Sequence, residues 1–225
     1  NIAEFYVWED VLVVVENKYQ YQDIARTEGK AMMELTCGVD RPGSYWHEIS
    51  FYNITDRSLP EKIRTFTLQG RYASSRVSGG YFYGFSRYFA DPGEGAQDYD
   101  AYIPMLDGVR MAADRILLPE ENRGTSYLVL VSVDLREPSS FVQTTAVVSA
   151  AEQYYVSGEN IYVASTAPME KLEGWDCDKT ALLKFSYGDG KFAYQAKGEV
   201  KGRLDDIRME MEYPFTDWVE DRQDI

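Results

Sequence analysis

The stretch Tyr72-Ala-Ser-Ser-Arg-Val-Ser-Gly-Gly-Tyr-Phe-Tyr83 reads as two strands joined at Gly79-Gly80, because aromatic and β-branched residues flank a pair that tolerates a tight turn. It recurs. Gln153-Tyr-Tyr-Val-Ser-Gly-Glu-Asn-Ile-Tyr-Val163 carries the same Val-Ser-Gly core between apolar flanks. A weaker copy, Phe5-Tyr-Val-Trp-Glu-Asp-Val-Leu-Val13, turns at Glu9-Asp10. Three such hairpins in 225 residues predict a repeated all-β architecture.

Outward from each hairpin lie further strand patterns. His47 to Ile54 and Lys62 to Leu68 are separated by the turn Thr55 to Pro60, and Lys62 to Leu68 alternates with period two. Ser126 to Val133 follows an insertion from Arg87 to Thr125 rich in Asp, Glu, Gly and Pro, the kind of long loop that is either functional or mobile. Ala181 to Phe185 joins Phe192 to Ala196 through Tyr187-Gly-Asp-Gly190. An offset of 79 positions relates Ile54 to Val133, Arg57 to Arg136 and Val77 to Val156, and marks units at about 1–70, 71–151 and 152–204. Residues 205–225, with eight acidic and two basic side chains, read as an acidic strand, Ile207 to Tyr213, and a surface tail. Units of four strands are the blade pattern of a β-propeller; a β-sandwich is the alternative. Three blades fall short of the four that a ring normally needs. The expectation is therefore a piece of a longer domain or a fourth blade assembled from loops and tail, with open strand edges covered by Ile207 to Tyr213, further chain or a second copy.

Composition narrows the partners. The chain has 23 basic and 37 acidic residues, a net charge of −14, which repels phosphate backbones and anionic membranes, so nucleic acid is not an expected partner. The longest apolar run, Val11 to Val15, is too short to span a membrane, so no membrane insertion is expected within this chain. Cys37 and Cys177 are too few for a disulfide framework and stand in no Cys-x-x-Cys spacing.

With these units in view, the chain resembles the bacterial secreted β-propeller domain family distantly related to WD40 repeats. The carrying segments are Ile54 to Pro60, Tyr72 to Arg76, Tyr102-Ile-Pro104, Tyr127 to Leu135, Tyr155 to Ser165, and Lys184-Phe185 through Gly198-Glu-Val-Lys-Gly202. Their order, spanning roughly Phe5 to Leu204, is more specific than any one of them. The resemblance implies an exported or surface-anchored propeller without an established enzymatic activity. Two departures stand out: Arg203-Leu204 runs into the acidic tail instead of another hairpin, and the WD dipeptide is absent from the blade ends.

Candidate sites follow from the blade reading. Tyr72, Ser74 and Arg76 share one face by period two in an innermost strand, the lining of a propeller channel, and are the candidate ligand-binding residues. Arg76 suits a ligand carboxylate or phosphate, or else pairs with Glu4 or Glu152. Asp91, Glu94, Asp98 and Asp100 offer hard oxygen donors for Ca²⁺, the one cofactor considered, although their spacing is not that of an EF-hand and a solvated acidic loop is the reading it favours. His47, the only histidine, excludes any two-imidazole site and reads as a packed or hydrogen-bonded residue at a strand start. No Gly-x-Ser-x-Gly elbow, phosphate-binding loop or other catalytic set is present. The expected function is a non-catalytic, extracytoplasmic binding module, secreted or on a bacterial cell surface, engaging a protein or glycan. The alternative is a hydrolase or lyase acting in the channel through Arg76 and acidic residues.

Overall fold

In the apolar run Val11 to Val15 only Val13 and Val15 are fully buried, while Val11, Leu12 and Val14 are half-buried, so the backbone there is pleated with one face on a core. The computed structural model describes residues 1–19, 45–90, 102–118, 126–148, 153–167 and 179–202. Among these there is no α-helix, and a turn of 3-10 helix lies at Ala113–Arg115.

The first sheet is an antiparallel meander of β1 (Ile2–Trp8), β2 (Val11–Tyr19), β3 (Tyr45–Asn53) and β4 (Glu61–Gln69). The second opens with β5 (Arg71–Ser78) and β6 (Tyr81–Phe89). Three two-residue strands follow in the chain: β7 (Met105–Leu106) and β8 (Val109–Arg110) join the first sheet beyond β4, and β9 (Ile116–Leu117) joins the second beside β11 (Phe141–Val148), which pairs with β10 (Ser126–Asp134). The third sheet is β12 (Gln153–Val156), β13 (Asn160–Ala167), β14 (Lys179–Gly188) and β15 (Lys191–Lys201). Three sheets form, one more than the two of a sandwich. They fall into two compact units, one of Asn1–Ala150 with Gly188–Phe192 and one of Ala151–Tyr187 with Ala193–Ile225.

One backbone hydrogen bond recurs in all three sheets. The residue that ends the third strand donates to the turn of its own first hairpin: Ile54 to Asp10 at 2.8 Å, Leu135 to Gly80 at 2.9 Å, Tyr187 to Glu159 at 3.0 Å. In the first two sheets the side chain before it, Asn53 or Asp134, accepts the backbone N–H two positions on, at 2.8 and 2.9 Å. Ile54 thus corresponds to Leu135, not Val133, and Thr55 to Arg136. The repeat is present, but its offset changes along the chain because the first two sheets carry insertions of different length.

In the first unit, Val13, Val15, Ile49, Phe51, Phe66 and Leu68 of the first sheet face Phe82, Val129, Val131, Val133 and Ala146 of the second. Phe51 meets Phe66 and Phe82 edge-on, with centroids 5.8 and 5.9 Å apart. At the turn end a clasp holds the same two sheets. The Arg136 guanidinium lies 5.6 Å from the Trp8 ring and 5.2 Å from the Tyr81 ring. It also donates to the Gly79 carbonyl and the Asp134 carboxylate, both at 3.1 Å. Gly80 has φ +81°, and a Cβ on it would stand 2.6 Å from Arg136 Nη2. The positive φ is what favours glycine there, and a side chain would also push the guanidinium end of Arg136 aside.

The insertion between β6 and β10 is a strap over the outer edges of both sheets. β7 pairs with β4 at Leu106 and Leu68, and β9 runs parallel to β11 at Ile116 and Ala146. Asp107 accepts from Arg64, and its own N–H donates to the Thr67 carbonyl at 2.6 Å. The tail strand Ile207 to Tyr213, Cys37 and Cys177 lie outside the described residues. Among the described residues the strap meets the outer edges of β4 and β11 at Leu68 and Ala146.

Candidate functional site

β1 and β5 are edge strands of their sheets, and their facing side chains form a polar seam. Along β1, Phe5 and Val7 are 68% and 57% exposed while Glu4, Tyr6 and Trp8 are half-buried. Strand alternation therefore places an acid, a phenol and an indole in one row.

On β5 the register slips between Tyr72 and Ser74. Tyr72 stands opposite Ser86, Ser75 opposite Gly84 and Val77 opposite Phe82, whereas Ser74 and Arg76 stand opposite Phe85 and Tyr83. Paired residues project to the same side of a sheet. The bulge thus separates the three residues that period two places together: Tyr72 shares its face with Ser75, and Ser74 goes with Arg76 to the other.

Glu4 Oε2 is the hub of the seam. It accepts from the hydroxyls of Tyr6 and Tyr72 and from Ser75 Oγ at 2.8 Å. Ser75, fully buried, also lies 2.8 Å from the Tyr72 hydroxyl. The Tyr6 hydroxyl has a second acceptor in the Ser75 carbonyl at 2.9 Å. The two rings are fixed from behind, Tyr6 edge-on to Phe82 at 6.2 Å and Tyr72 edge-on to His47 at 5.8 Å. Arg76 is exposed, and its Nη1 donates to the Ser75 carbonyl at 3.3 Å. Among the described residues no ion pair joins Arg76 to Glu4, although its charge reaches the carboxylate.

These contacts set the proton affinities. Burial alone raises the Glu4 carboxyl, but hydrogen bonds from Tyr6, Tyr72 and Ser75, together with the Arg76 charge, outweigh it and hold the group below its usual range. Burial and the Glu4 carboxylate push the Tyr6 phenol up to about 12 and raise Tyr72 as well. His47 is 1% exposed, with Nδ1 3.3 Å from the Gly70 carbonyl, and burial pushes its imidazole down to about 4. It is the packed, hydrogen-bonded histidine expected from its place at a strand start.

Sequence reasoning singled out Tyr72 and Arg76 but missed Tyr6 and Ser75, and saw Glu4 only as a counter-ion for Arg76. The available signal was the alternation of Glu4, Tyr6 and Trp8 in a strand matching β5. Asp91, Glu94, Asp98 and Asp100 lie outside the described residues, as does Glu152. Among the described residues no group of three His, Cys, Asp or Glu side chains is placed to hold a metal ion, and no helix is long and apolar enough to cross a membrane.

No curated protein and no solved structure matches this chain. The family model described as "Beta propeller domain" matches residues 1–209. That span takes in all three four-stranded meanders with their recurring turn bond. The chain belongs to the β-propeller domain family.

Proposed function

We propose that this chain is a non-catalytic binding module, acting outside the cytoplasm, whose propeller scaffold presents the β1–β5 seam to a protein partner. The observation that carries this reading is the tuning of the seam. Proton transfer near neutral pH needs a group that titrates there. Glu4 is held down, Tyr6 and Tyr72 are pushed up, and His47 is pushed down and buried. Three hydroxyls converge on one carboxylate oxygen, which serves rigid presentation of a charge better than turnover.

The extracytoplasmic setting follows from the resemblance to secreted propellers, and the protein partner from the frequent use of propeller scaffolds in protein interactions. The test is affinity capture of surface proteins and glycans by the full chain, run beside a broad hydrolase and lyase screen. Partner capture that is lost in Glu4→Gln supports the reading. Turnover that disappears in Arg76→Ala without loss of folding would overturn it.

A further inference from the structure

We propose that Glu4, at the β1–β5 seam, seats a lysine ammonium or arginine guanidinium from a basic segment of a partner protein. This rests on the reading of the chain as a binding module and names the chemistry of its ligand.

All three hydrogen bonds to the Glu4 carboxylate end on Oε2. Among the described residues Oε1 has no hydrogen-bond partner, and no cation lies within ion-pair distance of the group. Oε1 is therefore open to a donor from outside the chain, and a charge-assisted N–H to carboxylate bond is about twice as strong as a neutral hydrogen bond. The carboxylate's position is already fixed by Tyr6, Tyr72 and Ser75, so little ordering remains to oppose binding.

The kind of cation follows from the walls. The groups placed against the carboxylate are hydroxyls, those of Tyr6, Tyr72 and Ser75, while the Tyr6 and Tyr72 rings make edge contacts with Phe82 and His47. A quaternary ammonium, which needs open aromatic faces, is not suited. A cation that donates hydrogen bonds is. The net charge of −14 draws basic chains toward the protein and repels acidic ones. Arg76, on the opposite side of β5, contributes the one opposing charge that reaches the carboxylate. It competes with the ligand, and that gives the proposal a sign.

The test is fluorescence anisotropy of the full chain with a labelled peptide of alternating lysine and glycine, and with its glutamate counterpart. Glu4→Gln is expected to weaken the lysine peptide about tenfold and Arg76→Gln to tighten it about threefold, the scale of a single close charge pair and of a rim charge. Glu61→Gln, an exposed β4 residue that removes the same charge, leaves binding unchanged when the effect is local. Lysine-peptide binding that is equal in wild type and Glu4→Gln, or weakened in Arg76→Gln, overturns the proposal. If Glu4→Gln does not fold by circular dichroism, the direction of the Arg76→Gln effect decides alone. A glutamate peptide that binds and is lost in Arg76→Gln refutes the cation while keeping the binding module. Failure of both peptides together with failure of partner capture removes both.

Discussion

Two junctions join the first and second sheets, and they are built on opposite plans. At the turn end, Arg136 is flanked by the Trp8 and Tyr81 rings, the Asp134 carboxylate and the Gly79 carbonyl. Its charge is answered within the chain. At the seam, Glu4 is gripped by three hydroxyls on one oxygen and has no ion-pair partner among the described residues. The clasp pairs its charge with an opposite one and the seam does not. A fold held by the first can present the second.

Four changes test that contrast. The largest effect is expected at Phe82, which is fully buried and edge-on both to Tyr6 of the seam and to Phe51 of the core between the two sheets. Phe82→Ala should lower unfolding free energy by about 3–5 kcal/mol in a denaturant titration. A loss below about 1 kcal/mol would mean that the sheets do not pack through this ring.

Acid comes next and separates the junctions. His47, behind the seam, titrates at about 4 when folded and near 6.5 when unfolded. Between these values the unfolded chain takes up a proton that the folded chain refuses, so stability falls as pH drops through that window, by about 3 kcal/mol in all. His47→Phe should flatten this slope in melts taken across the window. An unchanged slope would place its origin elsewhere.

Gly80→Ala addresses the clasp. The left-handed φ costs about 1–2 kcal/mol with a side chain present, and the added methyl displaces the Arg136 guanidinium. Thermal unfolding should shift downward while peptide binding at the seam stays unchanged.

The smallest stability effect belongs to Glu4→Gln, below about 1 kcal/mol at neutral pH because the carboxylate is only partly buried and solvent screens it. Its folded-state pKa is depressed, so its contribution is present above the unfolded value and lost as pH falls through the folded one. Wild type and variant should therefore converge in acid. A gap that widens there contradicts an ionised Glu4.

The turns were legible in the sequence because their chemistry is local. Glu9, Gly79-Gly80 and Asp189-Gly190 take positive φ, as residue types common in tight turns suggest. Strand existence was legible from alternation for the same reason. A constant offset of 79 was not a sound guide, since unequal insertions shift the correspondence between Ile54 and Leu135 away from it. The seam was only half legible. Nothing in Tyr72-Ala-Ser-Ser-Arg76 marks which residue the bulge leaves over, so period two selected Ser74 where Ser75 turns inward. Glu4 and Tyr72 are 68 positions apart, and no local pattern declares such a contact.

The strap ties the order of synthesis to the order of assembly. As the chain emerges, β4 is complete long before Met105–Leu106, which pairs with its outer edge, and the segment that pairs with it is anchored on one side by β6. The first sheet therefore spends an interval of translation with a free row of backbone donors and acceptors, and closes only when the second sheet has begun to form. Two nascent copies held close together in that interval have a natural exchange available: each one's β7 laid on the other's β4.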